Sequence, residues 1–330
     1  MADKMPTPEE LRAAFKKERA FAEEAVDKEF KNGLKNLFFI GCGGTYFESK
    51  PFAYFAASMT DLPVYAMIGP ELRVMNHNKL GEGSLCIYTS ATGNTKDILN
   101  TMEYTRSKGA KNIAFVGTAD SPMAPLADYF YGDKLSNHDI DLIIVYTRAL
   151  YDHGDFPEYE EFIKQLEDTA VVMNDNAAKT YNSKAIYYAA RNHRADFHYV
   201  IGAGAGYGTA ESWGMCIMEE MQWMHTKIVN AAEFFHGAIE LCEKDTPCIL
   251  FKGEDGSREL VDRVENFLKP LTQEILVIDT AEVELPMDKK YRYLVAPALE
   301  MACTWPLAKA FQVENNHDLS VRRYYRQMEY

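Results

Sequence analysis

"NLFFIGCGG", at residues 36–44, is an apolar strand-like run that leads into a glycine-rich turn, and "HYVIGAGAG", at residues 198–206, repeats that design in the second half of the chain. Two further blocks repeat in the same order. "CIYTSATGNTKDIL" (86–99) aligns with "CILFKGEDGSRELV" (248–261), and "NIAFVGTA" (112–119) aligns with "EILVIDTA" (274–281), both at an offset of 162 residues. Three matched strands in constant order predict a tandem duplication.

The segments between these strands indicate the fold class of each copy. "TKDILNTMEYTRSKGA" (95–110) spaces its apolar residues as a helix does and ends beside a glycine. Strands such as "LFFI" are apolar throughout, as expected where helices cover both faces of a parallel sheet. The sequence therefore predicts an α/β protein with two tandem doubly wound, flavodoxin-like domains, whose ligands bind after the carboxyl ends of the strands.

The repeat also predicts where the domains lie. We expect an N-terminal helix within residues 1–34, a first α/β domain over 35–155 and a helical linker over 156–196. The second domain would follow over 197–330 and end in a short tail. The composition supports two cores, because 330 residues with 47% hydrophobic content suffice for two domains of ordinary size.

Net charge, hydropathy and cysteine spacing argue against nucleic-acid binding, membrane insertion and zinc binding. The formal net charge of −14 disfavours nucleic acid and anionic lipid, and no apolar run is long enough to span a membrane. The six cysteines form no CxxC pair and no zinc-binding spacing, and most lie in apolar runs, as free thiols do in a reducing compartment. With no signal-like N-terminus, the sequence predicts a soluble cytoplasmic protein.

The turn in "YTSATGNTKDIL" (88–99) is a candidate anion site. Three hydroxyls surround Gly93 at the start of a predicted helix, whose N-terminal N–H groups favour a phosphate; the hydroxyl residues are Ser90, Thr92 and Thr95. The second copy reads "KGEDGS" here, so Lys252 replaces the first hydroxyl and Glu254 the second, and its acids would repel an anion. The alternative is an ordinary cap, with Thr95 as the N-cap residue.

Two common nucleotide signatures fit poorly. The GxxxxGK[ST] pattern of a P-loop is absent, and "GCGGTY" and "GAGAGYG" match the GxGxxG dinucleotide fingerprint only loosely. A nicotinamide cofactor therefore stays a minor alternative.

At this point the sequence resembles a known family. "GCGGTYFES", "SATGNTKDI" and "MEEMQWMHTKIVNAAEFFHGAIEL" (218–241) resemble a pair of sugar isomerase (SIS) domains, as in the isomerase half of glucosamine-6-phosphate synthase. The "EFFHG" turn, an acid and a histidine sixteen residues apart, and the C-terminal "RRYYRQMEY" are most similar to the fructosamine-6-phosphate deglycases. The glutaminase domain of the synthase has no counterpart here.

The resemblance implies a set of site residues. Glu220 matches the catalytic carboxylate, and His236 matches a histidine that the family usually supplies from the neighbouring subunit, which implies at least a homodimer. Of the adjacent Glu219 and Glu220, we expect only Glu220 to face inward. Glu233 would orient His236 or bind substrate, while His225 is interpreted as structural. The implied substrate- and phosphate-binding residues are Gly43, Gly44, Thr45, Ser90, Ala91, Thr92, Asn94, Thr95, Glu233 and Arg323.

The resemblance also implies the reaction. A fructosamine 6-phosphate would be cleaved by water to glucose 6-phosphate and a free amine, with Glu220 and His236 as general acid and base and without metal or other cofactor. Two alternatives stay open: an aminosugar-phosphate isomerase or deaminase, and a non-catalytic phosphosugar-binding SIS protein. The Arg322–Arg323 pair is either a lid over the site or an ordinary surface pair.

Overall fold

The structure is a computed structural model that describes residues 6–328. It divides into two compact units. The first contains residues through Val171 together with Pro286–Asp288, and the second contains Val172–Leu285 and the chain from Lys289 onward. Each unit is built around its own parallel sheet, and the chain is therefore an α/β protein with two tandem doubly wound domains, as the duplication predicts.

The first unit opens with a helix whose start is encoded locally. Thr7 caps α1 (Pro8–Lys31) and forms a capping box with Glu10, while Pro8 occupies the first turn. The other helices and strands that follow in this unit are β1 (Asn36–Gly41), α2 (Gly44–Met59), β2 (Val64–Ile68), α3 (Gly69–Met75), β3 (Ser84–Ser90), α4 (Lys96–Ser107), β4 (Lys111–Val116), β5 (Tyr129–Gly132) and α5 (His138–His153).

The five strands of the first sheet are all parallel and lie in the order β2-β1-β3-β4-β5. The strands β1 and β3 are fully buried, which explains why their sequences are apolar throughout. From β1 the chain continues to β2 at one edge of the sheet, and from β3 it continues to β4 toward the other edge. The turns after β1 and β3 therefore lie side by side, at the topological switch point of the sheet.

The long helix α6 (Tyr159–Asn192) leads from the first unit into the second. The further elements are β6 (His198–Gly202), α7 (Gly206–Ser212), a π-helix (Trp213–Glu219), α8 (Glu220–Gln222), β7 (Thr226–Asn230), two short 3₁₀ turns (Phe234–His236 and Ala238–Leu241), β8 (Cys248–Lys252), α9 (Arg258–Leu268), β9 (Ile275–Asp279), a third 3₁₀ turn (Thr280–Glu282) and α10 (Lys289–Glu314).

The second sheet is also parallel, with the order β7-β6-β8-β9. It reproduces the first four strands of the first sheet and has no counterpart of β5 among the described residues. Its switch point lies between β6 and β8, where the turns "GAGAG" and "KGEDGS" meet. A core of buried apolar side chains, including Tyr199, Leu250 and Val261, packs against this sheet.

Candidate functional site

The hydroxyl turn follows β3 directly, at the switch point of the first sheet. Ser90 ends the strand and is buried, and its Oγ accepts a hydrogen bond from the N–H of Gly93 at 2.8 Å. Because the Ser90 oxygen acts here as an acceptor, its own proton can still be donated to a ligand. The Thr92 hydroxyl donates to Asn94 Oδ1 at 2.7 Å, so it would have to rotate to bind an anion.

Gly93 is required at this turn for two reasons. Its φ of 67° lies in the left-handed region that favours glycine, and a Cβ at this position would collide with the Ser121 hydroxyl. The backbone of the turn therefore lies closer to its neighbours than any other residue would permit. Close backbone approach is also what a phosphate cradle requires.

Thr95 is the N-cap residue of α4, but its side chain forms no capping hydrogen bond. Thr95 is half-buried, and its hydroxyl has no hydrogen-bond partner among residues 6–328. The alternative interpretation as an ordinary cap therefore explains why Thr95 lies at the N-cap position, but the hydroxyl does not perform the capping. Helix α4 is twelve residues long, and its N-terminus carries partial positive charge that favours an anion.

The neighbouring turn, after β1, has the glycine-rich form expected. Gly43 has a φ of 58° and precedes α2, which begins at Gly44. The Thr45 hydroxyl donates to the Cys42 carbonyl at 3.2 Å, and the Cys42 N–H donates back to it at 3.2 Å. Thr45 thus stabilises its own turn in this structure, and Gly43 and Gly44 before it are half-buried.

The corresponding turn of the second unit is filled by its own carboxylates. Asp255 accepts hydrogen bonds from the N–H of Ala205 at 3.3 Å and from the N–H of Ser257 at 2.6 Å. Glu254 forms an ion pair with Arg292, whose Nε donates to the carboxylate at 2.8 Å. Backbone donors that an external anion would use are therefore already occupied.

A further carboxyl group, Glu300 of α10, lies against this second turn. It is fully buried, and a Cβ on Gly206 would lie 2.7 Å from its Oε1. Burial raises the pKa of Glu300 well above its ordinary value, and the negative charges of Asp255 and Asp279 add to this effect. This residue gave no signal in the sequence, because nothing local distinguishes it from other glutamates of a helix.

Glu220 lies in the second unit, at the end of a helical segment of unusual geometry. The α-helix that begins at Gly206 changes to a π-helix over Trp213–Glu219, and the chain then turns at Trp223, whose φ of 57° is left-handed. Wide helical turns of this kind occur frequently at functional sites. Neither the π-helix nor the left-handed tryptophan could be read from the local sequence pattern.

Glu220 is paired with the C-terminal tail. Arg322 Nε donates to Glu220 Oε1 at 2.8 Å, and the two side chains are largely shielded from solvent, with relative exposures of 15% for Arg322 and 28% for Glu220. Arg322 is fixed in turn by the Leu319 carbonyl, which accepts from its Nη1 at 2.6 Å. The tail thus orients the carboxylate through one oxygen and leaves Oε2 without a partner among the described residues.

Glu220 and Arg322 line a cavity of about 420 Å³ together with Glu219, Trp223, His225 and Arg323. Glu220 is half-buried and the adjacent Glu219 is exposed, and Glu219 also lines this cavity and accepts a hydrogen bond from Thr226, so an inward direction of Glu220 alone stays a prediction. A straight α-helix would separate adjacent side chains by 100°, but here a π-helix ends between them. His225, interpreted as structural, also lies at the cavity.

His236 and Glu233 lie elsewhere on the second unit. Both are exposed, at or next to the 3₁₀ turn Phe234–His236, and neither lines the cavity of Glu220. Gly237 follows with a φ of 137°, which ends the turn. A single chain therefore brings Glu220 together with Arg322 and Arg323 and does not bring His236 to them.

The described residues contain neither a membrane-spanning helix nor a metal-binding cluster. No helix within residues 6–328 is long and apolar enough to cross a membrane. In the same part of the chain, no group of three or more His, Cys, Asp or Glu side chains is arranged to hold a metal ion. The six cysteines are all free thiols.

Comparison with known proteins places these features in a family. The chain is 29% identical to a fructosamine deglycase of Bacillus subtilis over 90% of its own length and 93% of that protein. It is 24% identical to the fructoselysine 6-phosphate deglycase of Escherichia coli, over 91% of this chain and 88% of the relative. A crystal structure of a Bacillus subtilis protein, described as a candidate phosphosugar isomerase, superposes with a TM-score of 0.87 at 28% identity and covers 96% of this chain and 100% of that one.

The family model for the SIS domain matches twice, over residues 33–131 and 193–293. The two matches coincide with the two parallel sheets and together span more than half of the chain. The chain therefore belongs to the SIS domain family, as a tandem pair similar over most of its length to fructosamine deglycases.

Proposed function

We propose that this protein is a fructosamine-6-phosphate deglycase, which hydrolyses a 6-phosphorylated Amadori compound. In this reaction one water is consumed and the C1–N bond breaks, giving glucose 6-phosphate and a free amine. The observation that carries the proposal is the half-buried carboxylate of Glu220, oriented by Arg322 at a cavity of a size that suits a small substrate. The similarity to fructosamine deglycases over nine-tenths of the chain supports it.

The turn at Ser90–Thr95 is proposed to hold the 6-phosphate. Its hydroxyls belong to Ser90, Thr92 and Thr95, and backbone groups of Ala91 and Asn94 would assist, with Gly43, Gly44 and Thr45 lining the neighbouring turn. No carboxylate stands between Ser90 and Thr95, so nothing in the turn itself repels a phosphate. Fixing the phosphate orients the sugar for the proton transfer.

Glu220 is proposed to move a proton between C1 and C2. The ketoamine has a carbonyl at C2, and removal of a proton from C1 gives an enolamine; return of a proton at C2 gives an imine at C1. Water then adds to the imine and the amine leaves. The partner-free Oε2 of Glu220 can take and return this proton while Oε1 stays bonded to Arg322.

His236 is proposed as the second acid–base group, acting in the site of a neighbouring subunit. Its exposed position away from the Glu220 cavity supports this role, because a histidine that serves its own chain would be expected at the cavity. Imidazole is suited to protonate the ring oxygen or the leaving nitrogen near neutral pH. The protein would then work as a homodimer or a larger assembly, with Glu233 beside His236 in the sequence.

A coupled assay for glucose 6-phosphate, run over a panel of phosphorylated Amadori compounds, tests the proposal. Glu220→Gln should lower turnover by about 10²–10⁴-fold while substrate binding, measured by calorimetry, is retained. Glu240→Gln, an exposed control in the turn Ala238–Leu241, should behave as wild type.

The other outcomes separate the alternatives. Turnover of glucosamine 6-phosphate, with fructose 6-phosphate and ammonia as products and no reaction of any Amadori compound, would identify an aminosugar-phosphate deaminase. Binding of phosphosugars with no turnover of either class, or unchanged turnover in Glu220→Gln, would contradict the catalytic role of Glu220.

A further inference from the structure

The proposed phosphate turn is followed by an acid that a phosphate would have to approach. The turn Ser90–Thr95 contains no lysine or arginine, and Lys96 after it is exposed. Asp97, the next residue, is half-buried and lies in the first turn of α4. A phosphate at the N-terminus of this helix would therefore lie within about one helical turn of a carboxylate, and the two negative charges would repel each other.

Arg73 of α3 pairs with this acid and keeps donors to spare. Its Nη2 donates to Asp97 Oδ1 at 3.3 Å, and its side chain is 30% exposed. This bond uses one N–H group of a guanidinium that has several. The Nε of Arg73 is buried and has no partner among residues 6–328. A buried donor without an acceptor destabilises the protein that holds it, so a polar group outside the described chain is expected there.

Arg73 lies between the two turns of the switch point. Helix α3 packs against α4, where a Cβ on Gly69 would lie 2.8 Å from Thr101 Oγ1. Cys42 lies in the glycine-rich turn after β1; burial raises the pKa of its thiol, the charge of Asp97 adds to this effect, and the charge of Arg73 opposes it. The guanidinium is therefore close to the turn after β1 as well as to α4. This crevice is where doubly wound sheets bind ligands.

The second copy of the fold has no arginine at the equivalent position. The strands β2 and β7 begin 162 positions apart, so α3 corresponds to residues 231–237 and Arg73 to Phe235. The Phe235 ring offers no N–H donor and instead packs against Arg263, whose guanidinium carbon lies 4.1 Å from the ring centroid. The copy whose hydroxyl turn is replaced by carboxylates therefore also lacks this cation, so the arginine and the hydroxyls are present or absent together.

We propose that Arg73 is a further phosphate-binding residue, which donates its unpaired N–H groups to the 6-phosphate of the substrate while Asp97 holds the guanidinium in place. This inference rests on the proposed function. The planar guanidinium can bind two phosphate oxygens at once, and hydrogen bonds between charged groups are the strong ones. The same arginine offsets the charge of Asp97, so the hydroxyl turn can accept a phosphate beside that acid.

An arginine that only neutralises Asp97 would behave differently, and a pair of variants separates the two roles. The measured quantity is the dissociation constant of glucose 6-phosphate, the proposed product, by calorimetry. Arg73→Gln should weaken binding roughly 10- to 100-fold, and Arg73→Lys should recover part of the loss. The double variant Arg73→Gln, Asp97→Asn should stay about 10-fold weaker than wild type or more, because removing the acid does not replace the lost donors.

The matched control is Arg106→Gln, at the other end of α4. Arg106 is exposed and its Nη1 donates to the Pro125 carbonyl at 3.0 Å, so the variant changes the net charge equally and should bind as wild type does. Wild-type affinity in Arg73→Gln or in the double variant would overturn the inference. An equal loss in Arg106→Gln would also overturn it, because the effect would then belong to the net charge of the protein.

A measurement on the wild-type protein covers the case in which Arg73→Gln does not fold. The Nε–H signal of Arg73 in a nuclear magnetic resonance spectrum is identified as the one missing from Arg73→Lys, which keeps the charge that pairs with Asp97. This signal should shift when glucose 6-phosphate is added. A signal that stays in place at a saturating concentration would refute the contact.

Turnover separates this inference from the proposed function. In the deglycase assay, Arg73→Gln should raise KM by the factor found for binding and leave kcat within about threefold. If no Amadori compound reacts but Arg73→Gln weakens the binding of glucose 6-phosphate, the proposed reaction fails and the arginine site stands. If an Amadori compound reacts and Arg73→Gln keeps the wild-type KM, the site fails and the reaction stands.

Discussion

The two units contain equivalent turns whose side chains differ in chemistry. In the first, the turn between β3 and α4 holds three hydroxyls around Gly93 and contains no carboxylate. In the second, the turn between β8 and α9 contains Glu254 and Asp255, which bind Arg292 and the N–H of Ala205. Both turns lie at the switch point of their sheets, where doubly wound folds bind ligands.

The comparison shows how one copy of a duplicated site can lose its capacity to bind an anion while its fold stays the same. The second unit satisfies its backbone donors with its own side chains, and its Lys252 is not a free cation, because it pairs with Asp262 and Glu265. In the first unit, no carboxylate among residues 6–328 accepts from the equivalent N–H groups, which belong to Gly43 and Thr95. What distinguishes the two copies is therefore the chemistry of a few side chains and not the geometry of the sheet.

Placing an acid from the second turn into the first should have the largest effect. Glu254 corresponds to Thr92, so Thr92→Glu brings a carboxylate next to the proposed phosphate site. Repulsion between two such charges near a protein surface amounts to a few kcal/mol, and we expect kcat/KM to fall by about 10²-fold or more, mainly through KM. The kinetic assay checks this, and Thr92→Gln, which has the same size without the charge, should lose far less.

Of the glycines in the two turns, Gly93 should be more sensitive to substitution than Gly256. Gly93→Ala forces a left-handed φ on alanine and drives its Cβ into Ser121, and we expect a loss of about 2–3 kcal/mol in the free energy of unfolding. Gly256→Ala in the second turn is the control, because its Cβ would meet no atom within 4 Å. Urea denaturation of the two variants gives the comparison directly. Equal losses would mean that Gly93 is not constrained as described.

Local patterns in the sequence were sufficient to predict the fold. Apolar strands that end in glycines, repeated in one order, indicate two parallel sheets, because burial on both faces and the need for a tight turn are properties of short segments. The hydroxyl turn was predictable for the same reason, since all its residues lie within six positions of the chain.

Long-range features of the sites were not predictable. Glu220 and Arg322 are 102 positions apart, and their pairing depends on how the C-terminal tail packs, which no local pattern encodes. The π-helix before Glu220 and the left-handed Trp223 come from tertiary packing that overrides helical propensity. Glu300 resembles any glutamate of a helix until the fold brings it against Gly206.

A matched pair of hydroxyl deletions isolates ligand binding from stability. Thr95 and Ser257 occupy equivalent N-cap positions, and neither side chain forms a capping hydrogen bond. Thr95→Ala and Ser257→Ala should therefore have similar, small effects on unfolding. Only Thr95→Ala should raise KM, by roughly 10-fold for the loss of one hydrogen bond to a charged group. A comparable rise of KM in Ser257→Ala would place the phosphate in the second turn instead.

The smallest effect concerns how the free energy of unfolding depends on pH through Glu300, which lies against the second turn. Because the pKa of Glu300 is raised in the folded protein, folding retains a proton there that the unfolded chain releases near pH 4–5. The folded state then binds more protons than the unfolded state, so the stability that the neutral Glu300 provides is lost as the pH rises above that range. Glu300→Gln keeps the shape without a titrating proton and should reduce the fall in unfolding free energy between pH 6 and 8.

The exposed Glu314→Gln, near the end of the same helix, should leave this pH dependence unchanged. Urea denaturation of the wild-type protein and both variants at pH 6 and pH 8 gives the change in unfolding free energy for each. A Glu300→Gln variant with the wild-type slope would contradict the retention of a proton on Glu300 in the folded state. The contrast between the two turns would then rest on the hydroxyls of the first and on Glu254 and Asp255 of the second, without Glu300.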